Sequence, residues 1–185
     1  MATSDWEAGR FAQSMENARA WGKNRLQSCN LREKDINDEL KGIIRSLLRQ
    51  PDGGALFILF GYTHETIVPA LQRSFSHGEP VEFTTQLYVP EDSPELVMDR
   101  KLRNGEAVDD LVLARDRLFK DILNKGIRRF SKGRELAMYM LKNEDAMNGI
   151  LRFVNTRSLE AIRELCEGRV DTFRVWQESP YSISL

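Results

Sequence analysis

The chain has 185 residues, 41% hydrophobic and 30% charged, with a formal net charge of −1. This composition is globular, long enough to bury a sizeable core, and unlike a disordered chain. No apolar run approaches the ~18–20 residues that span a bilayer, and Cys29, Cys166, His64 and His77 make neither a disulfide framework nor a good zinc set.

The Met-Ala-Thr-Ser-Asp start lacks the basic and apolar regions of a secretory leader. A soluble, intracellular chain (cytoplasmic or nuclear) with no cofactor, no metal and no membrane contact is therefore expected. In chain order, Ser4 and Glu7 form a Ser-x-x-Glu helix start. Phe11, Met15, Ala18 and Gly22 then share one stripe, with Trp6 and Trp21 near its ends. Such a stripe reads first as core, and second as a partner-binding face. Asn30 with Glu33 repeats the starting pattern ahead of Ile36, Leu40, Ile43, Ile44, Leu47 and Leu48. Pro51-Asp52-Gly53-Gly54 ends that helix.

Ala55 to Phe60 is a short, wholly apolar run and predicts a buried strand. A short helix is expected over 66–75, with Pro69 in its first turn. Val81, Phe83, Thr85, Leu87 and Val89 alternate with more polar residues, as in a half-exposed strand. Ser93-Pro94 caps a helix that Asn104-Gly105 ends. Residues 107–130 form the longest helical period, shorter helices follow over 132–142, 144–154 and 157–167, and Val170 to Trp176 reads as a last strand. The expectation is α+β: one globular domain over 1–185, with about six or seven helices, two or three short strands and a flexible tail from about 178.

Charge is unevenly distributed. Residues 79–110 carry Glu79, Glu82, Glu91, Asp92, Glu95, Asp99, Glu106, Asp109 and Asp110 against Arg100, Lys101 and Arg103, a net of −6. Residues 112–142 carry Arg115, Arg117, Lys120, Lys125, Arg128, Arg129, Lys132, Arg134 and Lys142 against Asp116, Asp121 and Glu135, a net of +6. On a wheel at ~100° per residue, Leu111, Val112, Phe119, Ile122, Leu123, Ile127 and Phe130 form the apolar side. Arg117, Lys120, Lys125 and Arg128 lie opposite it, with Arg129 at the margin and Lys132 and Arg134 extending the set. These seven are the candidate residues for binding nucleic acid or an acidic partner. Three readings stay open: a solvated face, a phosphate-binding footprint on RNA or DNA, and homo-oligomer assembly in which acidic 79–110 meets basic 112–142.

Motifs for catalysis are sparse. There is no phosphate loop, dinucleotide fingerprint, nucleophile elbow or His-Glu-x-x-His, and the carboxylates at Glu82, Asp92, Glu95 and Asp99 are too generic to define a magnesium site. Phe60-Gly61-Tyr62-Thr63-His64-Glu65-Thr66 delivers a His-acid pair to a helix start, where an anion is favoured. This run resembles the second catalytic motif of the histidine phosphatases. The resemblance spans at most residues 55–107 and implies that His64 contacts phosphate while Glu65 donates a proton. That family's Arg-His-Gly nucleophile motif is absent, and His77 in Phe75-Ser76-His77-Gly78 does not match it. The functional expectation is a non-enzymatic, charge-polarised interaction or assembly protein, contacting itself, a protein partner or nucleic acid through the basic helix. The alternative is a small hydrolase or degenerate histidine-phosphatase-like protein centred on His64.

Overall fold

A computed structural model describes residues 2–50, 54–56, 58, 64, 66–75, 81–84, 90–129 and 144–182, with side chains at all of these except 2–4, 127, 129 and 144. Among the described residues there are eight helices and no strand. The fold is mostly α, which corrects the α+β expectation. The helices are α1 (Ala2–Glu7), α2 (Phe11–Leu48), α3 (Ile67–Ser74), α4 (Pro94–Arg103), α5 (Asp110–Arg129), α6 (Glu144–Asn155), α7 (Leu159–Glu167) and α8 (Thr172–Gln177).

Among the described residues, none of the three predicted segments forms a strand. Residues 54–56 and 58 are exposed and lie in no strand, and the rest of the 55–60 run is outside the described residues. Apolar content alone does not make a strand, because its backbone groups need a partner. Residues 81–84 are likewise outside any strand, with Val81 and Phe83 packed against the apolar cluster of α2, α3 and Phe75; residues 85–89 are not described. The last run is helix α8 because Asp171 caps it, its carboxylate accepting from the Arg174 N–H at 3.3 Å. Phe173 and Trp176 then fall three apart on one buried face, their ring centroids 5.5 Å apart.

The N-terminal helices also divide differently from expectation. Gly9, at φ +73°, separates α1 from α2 with a left-handed residue. Beyond it α2 runs 38 residues without interruption, passing straight through Asn30 and Glu33. No proline interrupts that span, and isolated glycines at 22 and 42 cost a helix only ~1 kcal/mol each. The predicted helix over 132–142 lies outside the described residues.

The chain forms two compact units: one from residues 1–23 and 90–185, the other from 24–89. In the first, α5 is central and packs against α4, α6, α7 and α8. Its core includes Trp6, Phe11, Met15, Leu113, Leu118, Ile122, Ile150, Phe153, Ile162, Phe173 and Trp176. A core aromatic or leucine of this kind contributes ~1.5–3 kcal/mol by burial. Gly126 lets α8 approach α5 closely, since a Cβ there would stand 2.7 Å from the Phe173 ring. Residues 178–182 follow α8, and Tyr181 packs against the same core. In the second unit, Leu40 and Ile44 of α2 meet Ile67, Leu71 and Phe75 around α3.

Candidate partner-binding surface on α5

Helix α5 begins with a cap. Asp109 accepts from the Val112 N–H at 2.9 Å and from Lys101 Nζ of α4 at 2.9 Å. These bonds, Lys101 first, hold the Asp109 carboxyl below its ordinary value and raise the Lys101 ammonium. Asp110 pairs with Arg19 of α2.

The four bases of the predicted face occupy quite different settings. Arg117 is buried, 8% exposed, and its Nε and Nη2 have no hydrogen-bond partner. Burial pushes its pKa down, and the neighbouring Asp116 charge only partly opposes this. Lys120 donates to Asp116 Oδ2 at 3.0 Å, lies 3.4 Å from Glu95 Oε1, and sits 4.3 Å above the Trp21 ring. Lys125 donates to Asp121 Oδ2 at 2.6 Å and to the Val170 carbonyl at 3.2 Å. Arg128 is the exposed member at 64%, with a 2.8 Å bond from Nη1 to Glu7 Oε1. Nothing is described of the Arg129 side chain, and Lys132 and Arg134 lie outside the described residues.

The single solvent face drawn on the wheel therefore does not persist along α5. A central helix has neighbours on several sides, so its polar residues are shared among interfaces. Asp116 and Asp121 are the residues the sequence reading undervalued. Each stands four before a lysine, the spacing that pairs them on a helix, and each is at most 8% exposed. Asp121 also accepts from the Thr172 hydroxyl at 2.6 Å, which ties α5 to the start of α8.

Much of the acidic stretch is likewise engaged within the chain. Glu95 meets Lys120, Asp92 accepts from Asn155 at 2.9 Å, and Glu106 accepts from Asn104 at 3.0 Å. Around His64, Nδ1 lies 3.4 Å from Glu33 Oε1, while the Thr66 hydroxyl donates to Glu33 Oε2 at 2.6 Å. A carboxylate thus faces this edge of the imidazole, where it would repel a phosphate. Glu65 is not described. Among the described residues no three His, Cys, Asp or Glu side chains converge as a metal site, and no helix is long and apolar enough to cross a membrane. Cys29 and Cys166 are both buried free thiols.

Compared with known proteins, the chain matches no family model, no curated protein and no solved structure.

Proposed function

We propose that this chain is a non-enzymatic interaction protein that engages an acidic protein partner through the C-terminal end of α5. The observation that carries this reading is the gradient of exposure along the helix: Arg117 is buried, Lys120 and Lys125 are about one-quarter exposed and bound to carboxylates, and Arg128, although bonded to Glu7 Oε1 at 2.8 Å, is 64% exposed. Arg128 and Arg129, followed in sequence by Lys132 and Arg134, form the candidate contact. Cations at a helix C-terminus are also favoured by the backbone dipole. Because Lys120 and Lys125 already have acids, few bases are left to displace counterions, which favours a protein partner over a nucleic acid.

A second reading, self-association, draws on exposed apolar residues of the 24–89 unit: Leu31 at 70%, Leu56 at 40%, Ile43 at 39% and Ile58 at 38%. The hydrolase reading gains less support, since the carboxylate of Glu33 faces His64.

The test compares wild type with the triple variant Arg128→Glu, Lys132→Glu, Arg134→Glu. Fluorescence anisotropy would follow binding of a labelled poly-glutamate peptide and of a mixed-sequence single-stranded RNA across a salt series, with sedimentation velocity reporting association state. The proposal expects peptide binding that the triple variant loses. Equal peptide binding by both proteins, or RNA bound more tightly than peptide, would refute it. Self-association unchanged by the triple variant would move the contact to the apolar residues.

A further inference from the structure

The turn after α7 departs from local preference. The Val170 N–H donates to the Leu165 carbonyl and the Arg169 N–H to the Cys166 carbonyl, both at 3.0 Å. This is a Schellman cap, whose left-handed position is usually glycine because a Cβ there crowds the backbone. Here that position is Arg169, at φ +49°, while Gly168 just before it has an ordinary φ of −72° and is glycine for space, since a Cβ there would stand 2.9 Å from the Glu164 carbonyl oxygen. Glycine at 169 would form the same turn without the strain. An arginine in that strained position directs attention to its side chain.

Arg169 lines a cleft of about 210 Å³, walled by Trp6, Leu165, Cys166 and Val170, with Glu7 and Lys125 as its other charged residues. This is below the ~300–1,000 Å³ of drug-sized sites, and suits a single side chain or a small ion. Lys125 is neutralised by Asp121 at 2.6 Å and Glu7 by Arg128 at 2.8 Å. Among the described residues, the Arg169 side chain makes no ion pair or hydrogen bond. Among the described residues, the cleft therefore offers one cation with no counter-charge bonded to it, beside an apolar wall.

We infer that the cleft receives one glutamate or aspartate side chain of an acidic peptide, with the carboxylate taken by the Arg169 guanidinium and an adjoining apolar residue laid against Trp6 and Val170. A planar guanidinium suits a carboxylate because it can donate two parallel N–H bonds. The inference rests on the reading of α5 as an acidic-partner surface, since Glu7 connects the cleft to Arg128.

The test is a ¹⁵N NMR titration of the full chain with acetyl-Leu-Glu-Leu-amide, its Gln counterpart and inorganic phosphate. The Glu peptide should give saturable shifts at Arg169, Val170 and the Trp6 indole, and bind about tenfold more tightly than the Gln peptide. Arg169→Gly should raise Tm by relieving the left-handed strain, yet weaken Glu-peptide binding about tenfold or more. Unchanged binding in Arg169→Gly, a lowered Tm, or shifts confined to other residues would overturn the inference. Phosphate bound as tightly as the Glu peptide would also overturn it, identifying a free-anion site.

The two proposals fail separately. If Arg169→Gly keeps Glu-peptide binding while the α5 triple variant loses poly-glutamate, the cleft falls and the α5 surface stands. The opposite pattern removes the α5 surface and retains the cleft.

Discussion

Replacing Asp121 with alanine should destabilise the 1–23/90–185 unit by ~2–4 kcal/mol. Its carboxylate, in a residue 8% exposed, accepts from Lys125 Nζ and Thr172 Oγ1, each at 2.6 Å. The two donors differ in what they lose. The Lys125 side chain is 26% exposed and keeps its bond to the Val170 carbonyl, so its share is near that of a surface pair, ~0–1 kcal/mol. Thr172 is fully buried and its oxygen also accepts from Lys125 Nζ at 3.5 Å, so it is the O–H that loses its acceptor, at ~1–3 kcal/mol on top of the charge-assisted bond. Thr172→Val alone should cost ~1–2 kcal/mol, because it removes the donor but keeps the shape.

The decisive measurement is the double variant. If both changes break one bond, Asp121→Ala with Thr172→Val should cost little more than Asp121→Ala alone, a coupling of ~1–2 kcal/mol. Urea unfolding followed by tryptophan fluorescence is the natural assay. Trp6, Trp21 and Trp176 all belong to the 1–23/90–185 unit, so the signal reports that unit. Costs that simply add, or an Asp121→Ala cost under ~1 kcal/mol, would refute the tie between α5 and α8.

Asp109→Ala removes the α5 cap and the Lys101 bridge together, and should cost ~1 kcal/mol at neutral pH. The Asp109 carboxyl is depressed in the folded chain, so its contribution is complete above the ordinary 3.8 and is lost as pH falls through the lowered folded value. Urea midpoints of wild type and variant should converge on acidification, and a gap that persists or widens there would contradict the assignment. For Cys166, burial first and the nearby Glu167 and Asp121 charges second push the thiol up to about 11. Iodoacetamide at mildly alkaline pH should therefore modify it only after unfolding, and rapid native labelling seen by peptide mass spectrometry would contradict this. The sign for stability is opposite to that of Asp109. The unfolded thiol ionises from about 9.0, so stability falls as pH rises from there toward 11.

Helices could be read from the sequence where an end signal and an apolar period agreed. Ser93-Pro94 caps α4, the Ser93 hydroxyl accepting from the Leu96 N–H at 3.4 Å. Ser158 does the same for α7, its hydroxyl accepting from the Ala161 N–H at 3.2 Å, while α3 and α6 are helical on their apolar period without a side-chain cap bond among the described residues. Val170 to Trp176 is short enough to fit either period, and Asp171 as a cap is the deciding signal. Asn30 and Glu33 had the form of a helix start, but Glu33 is turned to Thr66 and His64 instead.

The candidate site was legible as a set of charges, not as a surface. A wheel assigns polar residues to water, whereas α5 packs against four other helices and places Arg117, Asp116 and Asp121 among them. The Arg169 cleft left one local trace, a glycine followed by a base at a helix end. Its left-handed backbone belongs to the folded turn and is not encoded by residue type alone.

One property of the chain bears on its synthesis. The larger unit is discontinuous, its first part ending at Lys23 and resuming at Pro90. Emerging from the ribosome, Trp6, Phe11 and Met15 precede their core partners on α5 to α8 and must wait for them. Closing so long a separation adds little equilibrium cost, since each doubling of a loop adds only ~0.6 kcal/mol. It does slow folding, because distant contacts must form before they are rewarded. The N-terminal aromatics therefore have no complete core to enter until the helices from α5 to α8 have been made.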